Sequence, residues 1–124
     1  MTRVLLIGID PKLIDFTNVP GVDAEQVKAA AARSDKAMRD LGLEQVNCTI
    51  DLGETAEATL TDAVAKGPFD CVMIGAGVRV LPEHTVLFEK VINIVHRELP
   101  TTPFAFNTSP DNTPDAILRV TGGR

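Results

Sequence analysis

The sequence predicts an α/β fold: a three-layer αβα sandwich around a four-stranded parallel sheet in the spatial order 2-1-3-4. Three observations predict it. Strand-like runs alternate with stretches of helical period four times along the chain, the pattern of parallel strands joined by right-handed helical crossovers. Two of those runs, over 4–9 and 69–74, are nearly continuous in apolar residues, as strands covered on both faces are, and belong at the sheet centre. The other two read as edges, since 46–51 alternates apolar and polar and 103–107 is short and opens with Pro103.

Each element carries its own signals. The first strand stops at Asp10-Pro11. The first helix starts at a capping box of Asp23 and Gln26. Val27, Ala30, Ala31, Ser34, Met38 and Leu41 then recur at helical spacing, the alanines at 29–32 add intrinsic propensity, and Gly42 supplies a left-handed stop. The second helix starts near Thr55, sets Ala56, Leu60, Ala63 and Val64 on one face, and is expected to end at Gly67. The third helix runs over about 83–99 and stops at Pro100. Its apolar residues exceed one face, so either the helix is central to its layer or Val86, Phe88, Ile92 or Val95 are left for a partner helix. A two-fold homodimer is the simplest assembly to supply one. A last helix covers 114–120, and 121–124 reads as a frayed tail.

Composition bounds the function. The 124 residues suit one domain, 1–124, and 44% hydrophobic with 23% charged residues excludes a disordered or fibrous chain. Seventeen acidic against twelve basic side chains argue against a nucleic-acid partner, whose affinity rests on phosphate neutralisation. Five Phe with no Trp or Tyr leave few platforms for stacking bases. Cys48 and Cys71 each sit in an apolar segment and make no disulfide framework or metal cluster. The apolar start is too short for a secretory signal and no run is long enough to cross a membrane, so a reducing cytoplasm is the expected compartment.

The alternation and order resemble the flavodoxin-like and Rossmann-like class of folds. The resemblance covers most of the chain and includes no diagnostic motif. It implies a ligand crevice outside the carboxyl ends of the strands, where the first and third lie side by side and the chain reverses direction. The candidate site residues follow from that edge. Asp10 ends the first strand and is the candidate catalytic acid or base; Asp51 ends the second. The third ends in Gly75-Ala76-Gly77-Val78-Arg79, where glycines permit close backbone approach and Arg79 with exposed amides could hold an anion. Asn107 and Thr108 end the fourth. Between Asp10 and Asp23 lies a long loop with Leu13, Ile14, Phe16 and Val19, either a lid or a packed connection.

Several chemistries are excluded. G-x-G-x-x-G is missing after the first strand, which disfavours a dinucleotide. Asp10-Pro11-Lys12 replaces the hydroxyl-rich loop that a flavin phosphate needs, so no cofactor is expected. There is no Walker lysine motif and no G-x-S-x-G elbow. His84 and His96 lie about 18 Å apart along one helix and cannot share a metal, and no metal site is expected. The sequence therefore leads to the expectation of a small anionic ligand at the sheet edge, held by Asp10, Asp51, Gly75, Gly77, Arg79, Asn107 and Thr108. The alternative is a non-catalytic, self-associating interaction module.

Overall fold

The computed structural model of the chain describes residues 2–17, 19 and 21–122. Four parallel strands form one sheet in the order β2-β1-β3-β4. β1 (Arg3–Ile9) pairs with β2 (Glu44–Ile50) in a register that sets Ile9 opposite Ile50, and with β3 (Cys71–Ile74), where Ile7 faces Ile74. β4 (Phe104–Phe106) pairs only with β3. The continuous runs are thus the central strands, and all four strand carboxyl ends point to one edge.

Helices cover both faces. On one, Leu5, Ile7, Val72 and Ile74 of the sheet join a core with α2 (Ala56–Val64) and, through Leu87, Val91, Ile94 and Val95, with the long helix Thr85–Glu98. On the other, Val4, Cys71, Met73 and Ala105 meet Met38 of α1 (Ala24–Asp40) and Ala116 and Ile117 of the last helix, Thr113–Thr121. The second core is smaller. The capping box of α1 is made in both directions: Asp23 Oδ1 accepts from the Gln26 amide at 2.8 Å, and Gln26 Oε1 accepts from the Asp23 amide at 2.9 Å. Gly42 follows α1 with φ of +74°, the left-handed stop its lack of a Cβ permits.

Four expectations need correction. α2 ends at Val64 rather than Gly67, whose amide instead donates to the Val64 carbonyl. The segment after β3, where no helix is expected, is a one-turn helix, α3 (Ala76–Arg79). A 3-10 turn, Pro82–His84, then leads into α4 (Thr85–Glu98). Val95 is not left for a partner: it is fully buried in the larger core, while Phe88 and Ile92 pack half-buried against it. Of that set only Val86 projects freely, 73% exposed. Thr121 is no frayed end, because it closes α5 (Thr113–Thr121) in a buried position and Gly122 caps the helix with φ of +70°. The remainder of the expected tail, Gly123 and Arg124, lies outside the described residues. Both cysteines are buried free thiols, with Cys71 pushed up to about 11 chiefly by burial. Among the described residues no helix is long and apolar enough to cross a membrane.

Candidate functional site

A central strand under two helical layers should be sealed on both faces. β1 is sealed along its whole length on one only, for on the other Val4 is buried but the carboxyl half is not. Leu5, Ile7 and Ile9 are buried, whereas Leu6 and Gly8, which point the other way, remain part-exposed. α1 is the cause. Its buried contacts are Ala30, Ser34 and Met38, and Val27, half-buried, and Ala31, exposed, line the gap near its start. Small side chains on the helix and no side chain at Gly8 leave a groove of about 550 Å³ along the carboxyl half of β1.

The groove has a floor, two walls and a cover. Leu6, Gly8 and Met73 form the floor. Val27, Ala31 and Ser34 of α1 stand on one side; Gly75, Asn107 and Thr113 stand on the other. Ile14, Phe16 and Val19 of the first loop overhang the open end. Most of this lining is apolar, and the polar groups among it are neutral except for Asp35, whose Oδ1 accepts from Gln45 Nε2 at 2.8 Å. Such a volume, with mostly apolar walls and few polar groups, is that of small-molecule sites. Its place at the junction of β1 and β3 is the switch point where the chain reverses direction.

The residues expected at this edge divide into groups. Gly75, Gly77, Asn107 and Thr108 line the groove. Asn107, 4% exposed, is its brace: Oδ1 accepts from the Ala76 amide at 2.8 Å and Nδ2 donates to Thr113 Oγ1 at 2.8 Å. It thereby ties the start of α3 to the start of α5. Thr108 is held by Asn112, whose Oδ1 accepts from the Thr108 amide at 3.0 Å. Gly77 is closely approached, since a Cβ there would stand 3.0 Å from both Ile14 Cδ1 and Ile9 Cγ2. Neither Gly75 nor Gly77 has positive φ.

Two of the amides expected to cradle an anion are bonded within the fold: that of Gly75 donates to the Ile7 carbonyl at 2.9 Å and that of Ala76 to Asn107. Arg79 does not line the groove. Its Nε donates to the Ile74 carbonyl at 3.2 Å and its terminal nitrogen to the Asn107 carbonyl, while the guanidinium stacks 5.1 Å above the Phe106 ring. Phe106 meets Phe88 of α4 edge-on, so Arg79 sits on the face of the sheet opposite the groove. Burial pulls its proton affinity below the ordinary guanidinium value.

The two acids turn into their own loops. Asp10 Oδ1 accepts from the Lys12 amide at 3.0 Å and caps the 3-10 turn Pro11–Leu13. Asp51 accepts from the Thr55 hydroxyl at 2.7 Å and the Gly53 amide at 3.0 Å, which hold its carboxyl below the usual range. Among the described residues no hydrogen bond or ion pair joins Asp10, Asp51 and Arg79 to one another, although their strand ends share an edge.

Sequence reasoning missed Gly8, Leu6, Met73 and Ser34. Gly8 had a signal: a glycine inside a continuous apolar run weakens a strand unless something must approach its backbone. No protein-family model, curated protein or solved structure matches this chain, so its reading rests on this geometry.

Proposed function

We propose that the chain binds a small, uncharged organic molecule in the groove over Gly8. One observation carries the reading. A Cβ built on Gly8 would meet nothing within 4 Å, and its backbone does not require glycine, so the missing side chain is explained neither by packing nor by conformation. An empty Cβ position on a central strand, open to a groove of about 550 Å³, is what a ligand lying against the backbone needs. A neutral ligand is favoured over the expected anion in this groove, because the described lining holds neither Lys nor Arg and its one charged side chain is Asp35. Ser34, Asn47 and Thr49 offer neutral hydrogen-bonding groups along one flank. Asp10 stands outside the lining, which favours binding over acid–base catalysis.

Benzamide is a suitable probe, with benzoate as its charged counterpart. In methyl-labelled protein, benzamide is expected to shift the Met73 methyl resonance saturably, and benzoate is expected to bind at least tenfold more weakly. Gly8→Val should abolish the benzamide shift while leaving the fold intact. Equal binding of benzoate, or benzamide binding undiminished in Gly8→Val, contradicts the reading.

A further inference from the structure

A second concavity lies on the opposite face of the first loop. It is a shallow dish of about 450 Å³ between the loops that follow β1 and β2 and the start of α4. Leu13, Leu52, Val86 and Leu87 give it apolar walls, and the charged Asp15, Glu83 and Lys90 line it as well. The first loop is a partition: Leu13 and Asp15 face the dish, and Ile14, Phe16 and Val19 face the groove.

The chemistry of the dish centres on His84. This residue lines it yet is 5% exposed. Its Nδ1 lies 2.6 Å from the Gly77 carbonyl oxygen. A carbonyl only accepts, so Nδ1 carries the proton and donates. In the neutral ring that leaves Nε2 as a bare acceptor. No described residue donates to it. Nor is it sealed away: among the described residues the one sealed side-chain oxygen or nitrogen without a partner is Gln45 Oε1. Nε2 is thus not sealed, and the dish is the concavity that His84 lines. A ring fixed by a backbone bond on one nitrogen, with the other nitrogen open, is set to receive a hydrogen-bond donor in a single direction.

We propose that this dish is a second ligand site, for a small molecule with an apolar body and a hydroxyl or N–H donor, the donor directed at His84 Nε2. The body lies on Leu13, Leu52 and Leu87. This site shares no lining residue with the groove and does not depend on it.

The test compares phenol with anisole, near-isosteres of which only phenol can donate. Imidazole nitrogens of 15N-labelled protein are followed by NMR, with exposed His96 as the internal control. The spectrum first reports the tautomer, which should have the His84 proton on Nδ1. Phenol should then shift the His84 Nε2 resonance saturably without moving His96, and anisole should leave it in place. Leu52→Asp, on an exposed loop, should weaken the phenol effect several-fold with the fold retained. An unmoved Nε2, equal shifts with phenol and anisole, or a proton on Nε2 in the free protein would each overturn the proposal.

Discussion

Asp51 turns both carboxylate oxygens onto its own loop, receiving the Gly53 amide, the Thr55 amide and the Thr55 hydroxyl. These donors favour the ionised form, so the folded carboxyl releases its proton more readily than the unfolded one. Its stabilising effect is present above the unfolded value, near 3.8, and is lost as pH falls through the lower folded value. Asp51→Ala is expected to lower the melting temperature by about 3 °C at pH 7, in the range of a lost helix cap. The gap to wild type should close on acidification below pH 3.8. A gap independent of pH in thermal melts would show that the carboxylate charge is not involved. The identity of such residues was legible in the sequence, but their engagement was not. Asp51 and Asp10 follow strands, as expected, yet nothing in their spacing distinguishes a carboxylate aimed at a ligand from one aimed at the next two amides. Arg79 is the same case, since its partners, the Ile74 and Asn107 carbonyls, are backbone groups that any residue type carries.

At the scale of elements, Asn107 joins two helix starts that sequence order holds apart. Asn107→Ala would leave the Ala76 amide without its acceptor and remove a partner of the buried Thr113 hydroxyl. A cost of about 2–3 kcal/mol in denaturant unfolding is expected, since buried polar groups lose the full desolvation penalty. A cost under about 0.5 kcal/mol would show that the brace is not needed. Asp23→Ala removes one arm of the α1 capping box and should cost about 1 kcal/mol. These elements were legible where a short-range code specifies them: the Asp23–Gln26 box, the Gly42 stop and the two continuous central strands. α3 was not legible, because Gly75 and Gly77 are poor helix formers. The turn exists through tertiary contacts, with Asn107 bonded to its first amide and Val78 buried beneath it. The groove was hidden for a related reason. It arises between α1 and the sheet, where Ala31, Ser34 and Gly8 line one cavity, a juxtaposition of elements that no local pattern encodes.

At the scale of the molecule, parallel strands in one register bring four loops to one edge, and that edge carries both concavities, one on each face of the sheet. The edge holds the exposed Leu13, Leu52 and Val86 as well, apolar residues of the kind found at interfaces. A dish open to ligands is no subunit interface, so sedimentation of Val86→Lys should match that of the wild type. A dimer that Val86→Lys dissociates would make the dish an interface instead. The central claim concerns the other face: Gly8 keeps a binding cradle open at the expense of strand stability. Thermal unfolding of Gly8→Val tests it most directly. A β-branched side chain suits a strand better than glycine, and open space awaits it. The variant is therefore predicted to be more stable by about 1 kcal/mol, a rise of about 4 °C in melting temperature. A melting temperature below that of wild type would mean that the space over Gly8 is structurally required, and would contradict the account.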